Sequence, residues 1–197
     1  NIFIKRLFDL IFSFLIILIL IIPILIISIY LKIDSSGPVF FLSKRVGKSK
    51  KIFLMPKFRT MINGTKEVET AQFKEINKIT NFGKILRKYS LDEIPQFFSV
   101  IVGDMSIVGP RPCLESQKNL INLRDQNNIY ILKPGITGLA QISGRDDLEL
   151  EEKVKYEIFY KNNQSFFLDS KILILTIFKI LQTKNIKHWK TLIYLET

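Results

Sequence analysis

One cysteine and one histidine, Cys113 and His188, are all that the 197 residues contain. A single cysteine forms no internal disulfide and builds no cysteine-metal cluster, so the chain needs no oxidising compartment. A single histidine removes multi-histidine zinc sites and argues against a Ser-His-Asp relay. Other absences narrow the field further. There is no G-x-G-x-x-G, no alternating strand–helix–strand pattern, no internal repeat and no low-complexity linker, so a Rossmann nucleotide domain has no support. Chemistry in this chain rests on carboxylates, lysine and arginine, hydroxyls and a hard cation.

Acid is in short supply. Lys and Arg number 29 against 18 Asp and Glu, a net charge of +11, and residues 35–66 hold eight bases and no acid. Such a surplus points to an anionic partner: a membrane surface, nucleic acid or a phosphorylated substrate. An ordinary basic surface has the same composition, so charge alone leaves these readings open.

Charge is missing altogether from residues 10–31, "LIFSFLIILILIIPILIISIYL". A straight helix of that length reaches roughly 33 Å, enough to cross a bilayer. The run is too long for the core of a cleavable signal peptide, and no small-x-small cleavage pattern follows. Pro23 sits in its middle, where it removes the hydrogen bond to the Ile19 carbonyl and clashes with that turn. Both flanks are basic, with Lys5 and Arg6 before and Lys32 after. Bases beside membrane helices prefer the cytoplasmic side. The pattern therefore predicts a re-entrant helix-break-helix hairpin over 1–31, turning at Pro23, with a kinked transmembrane helix as the alternative. Asp9, at the entry, is placed to pair with Lys5 or Arg6.

The remainder, 32–197, reads as one cytoplasmic domain with α+β, mostly helical character. Two apolar runs around a Gly-Lys-Ser turn in 35–61 predict a small β-hairpin. Residues 64–80 are polar and read as a loop with some helix. Thr80 is the expected cap of a helix over 81–89, and further helices are expected over 113–126 and 147–162. "KPGITG", 133–138, is turn chemistry. Residues 168–183 carry a broad apolar face flanked by Lys171 and Lys179, suited equally to a compact core or to an amphipathic helix in the membrane interface.

Two acids stand side by side in "YSLDEIPQFF", residues 89–98. Ser90-x-x-Glu93 fits a capping box, which would make Asp92 the second helical residue and keep it ionised by free amides and the helix dipole. Pro95 complicates that reading, because its missing N–H strands the Leu91 carbonyl, so the helix start is distorted or the regular helix begins later. Basic residues recur at turn-rich points: Lys57 and Arg59 in "KFRTM", Arg87 in "ILRKYS", Arg111 before Pro112 in "GPRP", Arg145 in "SGR". Arginine forks bind two phosphate oxygens at once, and rigid turns let backbone amides approach an anion. Together with one acidic pair they suggest a diphosphate site with Mg²⁺, which binds through one or two carboxylates plus substrate phosphates.

"KFRTM" (57–61), "LRKYSLDEIPQFFSVIVGDMSIVGPRP" (86–112) and "KPGITGLAQISGR" (133–145) resemble the bacterial sugar transferase family, the monotopic phosphoglycosyl transferases. The resemblance runs from about residue 2 to 183, and the length is like that of the small, single-domain members. It implies transfer of a sugar phosphate from a UDP-sugar, with an N-acetylated hexosamine or deoxyhexosamine expected, to polyprenol (undecaprenyl) phosphate. UMP and polyprenyl-diphosphate-sugar are the implied products. It implies Asp92 as nucleophile through an aspartyl-phosphosugar intermediate, and Glu93 as the adjacent carboxylate that helps hold Mg²⁺ or activates the acceptor. Lys57, Arg59, Arg87, Arg111, Pro112 and Arg145 become substrate-binding candidates. The implied location is the cytoplasmic face of the bacterial inner membrane, with a re-entrant N-terminal segment, no nucleic acid partner and downstream glycosyltransferases as possible neighbours. One departure stands out: the family's helix break carries Ser-Pro, and this chain has Ile22-Pro23. Two competing readings remain at this point. One is a membrane-anchored polyanion-binding module without catalysis, and the other is a scaffold in which the acidic pair only caps a helix.

Overall fold

A computed structural model of the protein describes residues 2–65, 78–144 and 147–181. The N-terminal apolar run forms one helical element, α1 (Ile2–Asp34), with Pro23 inside it. The expected helix-break-helix division does not interrupt the helical assignment, and the helix runs three residues past the anticipated boundary at 31. Among the described residues it is the one helix long and apolar enough to cross a membrane. Its middle is open: Phe14, Ile19 and Ile22 are all well exposed.

Both ends of α1 are fastened to the body. Lys5 pairs with Asp169 at 2.6 Å, and Arg6 donates to the carbonyls of Val100 and Ile101. Asp9 is buried, but it does not pair with Lys5 or Arg6 as expected. It accepts from the Ser106 hydroxyl at 2.7 Å and the Ile107 amide at 3.2 Å. The two bases find partners across the fold, and the aspartate takes the buried donors that otherwise lack one. At the far end, the Arg59 guanidinium donates to the carbonyls of Leu31, Ser35 and Ser36. Cations suit the carbonyl-rich end of a helix.

The predicted hairpin forms. β1 (Phe40–Val46) and β2 (Ile52–Phe58) pair antiparallel, with Lys44 opposite Leu54 and Val46 opposite Ile52. The chain then reaches α2 (Asn81–Lys88), capped as expected by Thr80, whose hydroxyl accepts from the Gly83 amide at 2.9 Å. Gly83 lies against Thr60 so closely that a Cβ there would sit 2.1 Å from the Thr60 carbonyl oxygen. Only glycine lets α2 approach the end of the hairpin this way. The loop expected over 64–80 falls largely outside the described residues.

α3 (Gln96–Val102) leads to β3 (Ser106–Val108), and α4 (Lys118–Gln126) leads through a short 3₁₀ turn to β4 (Gly135–Thr137). α4 is shorter than the helix expected over 113–126, because Gln117 turns back to accept from the Leu114 amide. β3 and β4 pair in parallel. The sequence reading had only a turn at 133–138, since two three-residue strands leave no periodic signal. The pairing depends on glycines in contact: a Cβ on Gly135 would stand 2.1 Å from the Gly109 nitrogen. α5 (Leu139–Ser143), α6 (Leu150–Asn162) and α7 (Phe166–Leu181) complete the chain. The central core gathers Val100, Met105, Ile107, Leu139, Tyr160 and Ile172 from these elements. α7 buries Ile172 and packs Leu168 and Leu175 against that core, while Phe167, Ile174 and Ile177 remain exposed.

Candidate active site

The acidic pair lies on a single 3₁₀ turn, Leu91–Glu93, between α2 and α3. The capping box expected at Ser90 is absent. Ser90 takes a left-handed conformation, φ 55° and ψ 22°, and its side chain makes no cap. That conformation costs a non-glycine residue about 1–2 kcal/mol, and such backbone strain concentrates at functional sites. Pro95 precedes α3 and has no amide for the Leu91 carbonyl, so the Ile94 amide bonds that carbonyl instead at 3.3 Å. The chain tightens to i→i+3 bonding and the regular helix starts only after Pro95.

This turn aims Asp92 and Glu93 into a cleft of about 630 Å³. Glu93, freed from capping, accepts from Arg111 at 2.8 Å and lies 3.4 Å from the Lys57 ammonium. Asp92 is 9% exposed, and none of the described residues donates a hydrogen bond to its carboxylate. Burial, and then the Glu93 charge beside it, push the Asp92 carboxyl above the ordinary aspartate range, against the pull of Lys57, Arg87 and Arg111. This direction is opposite to the one helix amides would give: one 3₁₀ turn has little dipole, and desolvation outweighs it. Lys57 shifts the other way. Burial lowers its pKa, Glu93 opposes that, and Arg111 adds to it.

The remaining candidates divide. Arg111 and Pro112 leave β3 through the "GPRP" turn and line the cleft with Lys57. Arg87 lines it as well, and its Nε donates to the Thr60 hydroxyl at 2.9 Å. Arg59 also reaches the cleft wall, but its fork is engaged by the carbonyls at the end of α1. Pro23 lies in α1, away from this cleft, and Arg145 lies outside the described residues. Arg45 and Gln141 are among the cleft residues given no role from the sequence. Arg45 projects from β1, donates to Ser43 at 2.7 Å and reaches the Pro112 carbonyl. Its place on the same strand face as Ser43 was readable from the two-residue period. Gln141, on α5, had no signal beyond its place in a quoted motif. Among the described residues no group of three or more His, Cys, Asp or Glu side chains is arranged to hold a metal ion.

One family model, bacterial sugar transferase, matches this chain over residues 1–183, which include the acidic pair, the bases around it and the apolar helix. The chain belongs to the bacterial sugar transferase family. It is 39% identical to a Bacillus subtilis protein named as an uncharacterized sugar transferase, covering 93% of this chain and 90% of that one. It is 44% identical to the UDP-glucose:undecaprenyl-phosphate glucose-1-phosphate transferase of Klebsiella pneumoniae, over 91% of this chain and 40% of the relative. It is 36% identical to the undecaprenyl-phosphate galactose phosphotransferase of Salmonella typhimurium, over 88% of this chain and 40% of the relative. The family member is thus a transferase enzyme, spanning nearly all of the Bacillus protein and about two fifths of the other two. A binding module or scaffold without catalysis no longer accounts for the chain.

Proposed function

We propose that this sugar transferase moves a sugar 1-phosphate from a UDP-sugar to a polyprenol phosphate, through a phosphosugar ester of Asp92. The observation that carries the reading is the Asp92 carboxylate, hydrogen-bonded by none of the described residues, buried at the cleft and surrounded by Lys57, Arg87 and Arg111. The named relatives carry glucose and galactose phosphates, so the sugar is assigned as a hexose 1-phosphate. The N-acetylated sugar expected earlier is one candidate among several.

In the first step an Asp92 oxygen attacks the phosphorus that bears the sugar. The bond from that phosphorus to the UMP oxygen breaks, and UMP leaves with the electron pair. In the second step a phosphate oxygen of the lipid attacks the same phosphorus. The acyl-oxygen-to-phosphorus bond breaks, and Asp92 is restored as a carboxylate. A carboxylate is a competent nucleophile here because the cleft keeps it poorly solvated and its target is flanked by cations. Arg111 and Lys57 neutralise phosphoryl oxygens while tethering Glu93, which holds the acceptor's attacking group in line. Arg45 and Arg87 add positive field along the wall.

Asp92 and Glu93 fit a magnesium ion: two adjacent carboxylates, one of them hydrogen-bonded by none of the described residues, are the protein share that this ion takes when phosphates supply the rest. When bound it would neutralise charge on the diphosphate.

The membrane part, 1–31, is read as re-entrant, and 32–197 as the catalytic domain at the cytoplasmic face of the inner membrane. The two ends of α1 attach to the same body, at Val100–Ile101 and at Arg59, while its middle is exposed. A helix crossing outright would leave its far end roughly 30 Å from the face that holds the body. A helix bent at Pro23 returns to that face and brings the cleft to headgroup height, where the lipid phosphate lies.

The test is UMP release from a panel of UDP-sugars with magnesium and membrane lipid phosphate. Wild type should release UMP and accumulate a covalent phosphosugar adduct in the absence of lipid. Asp92→Asn should do neither, with a rate loss of roughly 10⁴-fold or more. Normal turnover by folded Asp92→Asn protein sinks the assignment.

A further inference from the structure

Gln141 is the most conspicuous polar group in the cleft that the reaction above leaves without work. It is 9% exposed and lines the same cleft as Asp92 and Glu93. Neither its Oε1 nor its Nε2 has a hydrogen-bond partner among the described residues. A buried amide atom left unpaired destabilises the fold, and this side chain leaves two. Folding alone gives no reason to keep such a group, because an apolar side chain of the same length would cost less.

The backbone that carries the amide is fastened to its neighbour. The backbone carbonyl of Gln141 accepts from the Lys179 ammonium at 3.0 Å, which ties α5 to α7. Oε1 lies over Gly138, where a Cβ would come within 2.6 Å of it. The wall formed where α5 and α4 pack on α6 brings Gln117 and Lys153 to the cleft. The wall nearer α1 presents Pro38, Phe40 and Phe41. A polar substrate body suits the first wall and a polyprenyl chain the second.

We propose that Gln141 reads the nucleotide-sugar: its side-chain amide gives one N–H donor and one carbonyl acceptor to the polar body of that substrate. This rests on the transferase reading above. The ligand chemistry is a donor and an acceptor side by side, which both the imide edge of uracil and neighbouring hydroxyl or acetamido groups of a sugar provide. Binding satisfies both buried amide atoms at once. A substrate without such an edge leaves them unpaired, which is how a polar pocket discriminates strongly.

Gln141→Met, similar in length and unable to hydrogen-bond, is the main variant. Its Tm should equal or exceed that of wild type. Its KM for the UDP-sugar should rise about 10- to 100-fold, the worth of two hydrogen bonds, while KM for the lipid phosphate stays the same. Calorimetry with UMP separates the two sources: weakened UMP binding assigns the contact to uracil, and unchanged UMP binding with raised KM assigns it to the sugar. Gln141→Asn keeps the amide but shortens its reach, so it should lose UDP-sugar affinity too, and this arm stands if the methionine variant fails to fold. Wild-type KM in both variants overturns the proposal, as does an effect confined to the lipid substrate. A wild-type protein that neither binds nor turns over any UDP-sugar refutes the transferase reading instead, whatever Gln141 does.

Discussion

Two sets of charges line the same cleft, and they are built to opposite ends. Arg124 and Glu157 form a closed pair. Their side chains are 3% and 2% exposed, and the guanidinium grips both carboxylate oxygens. The other set, Asp92 and Glu93 with Lys57 and Arg111, is uneven. Glu93 takes both bases, and Asp92 has none of the described donors hydrogen-bonded to it. The first set joins α4 to α6 as a wall. The second keeps one carboxylate in reserve and shifts its proton affinity upward. Charge that is fully matched holds a structure together; charge left partly unmatched is available for a ligand.

Four measurements break or sharpen this contrast. The largest stability effect belongs to the closed pair. Glu157→Gln leaves Arg124 buried without its countercharge and should cost about 3–5 kcal/mol in urea unfolding. Replacing both partners by Met and Leu should recover most of that. A single substitution as stable as wild type removes the closed pair from the account. Next comes Arg111→Ala, which takes away a charged hydrogen bond at a partly exposed site. It should lower kcat/KM for the UDP-sugar roughly 10- to 100-fold with little change in Tm. A fall in Tm without a kinetic effect would make Arg111 structural, like Arg124.

The third is a pH comparison. The folded protein holds the Asp92 proton more tightly than the unfolded chain does. Wild type therefore has the full benefit at and below the ordinary aspartate range, and loses it as pH rises through the raised pKa. Asp92→Asn lacks that loss, so its Tm advantage over wild type should grow across that window. Parallel Tm curves would show that the carboxyl is not shifted. The smallest effect is expected at Lys50–Asp125, 2.9 Å apart with both side chains about half exposed. Asp125→Asn should change stability by less than about 1 kcal/mol, which sets the scale for a charge pair that burial does not amplify.

Parts of the molecule with a local cause were legible in the chain. The β-hairpin over β1 and β2, the Thr80 cap and the helices α6 and α7 follow from alternation, a cap residue and a wide apolar face. The acidic pair could be singled out, and Pro95 did forbid a regular helix start. The resolution of that conflict was not legible, because an i→i+3 bond from Ile94 answers the stranded carbonyl as well as a later helix start would. Glu93 looked like a capping acid because capping acts within three residues, whereas its observed partners come from 18 and 36 residues away.

The sequence by itself determined that an uncharged, proline-interrupted segment joins a basic domain, and that its chemistry had to come from carboxylates, lysine and arginine, hydroxyls or a hard cation rather than from cysteine or histidine clusters. These are properties of composition and of short spacings. Tertiary structure decided the partners: Asp9 with Ser106, Lys5 with Asp169, Arg59 with the end of α1, Arg111 with Glu93. It also decided that β3 and β4 pair in parallel and that the Gln141 amide goes unsatisfied. The reason is range. Propensity and capping act within a few residues. Burial, which sets the cost of a lone charge or amide and so selects its partner, depends on every element that packs around it.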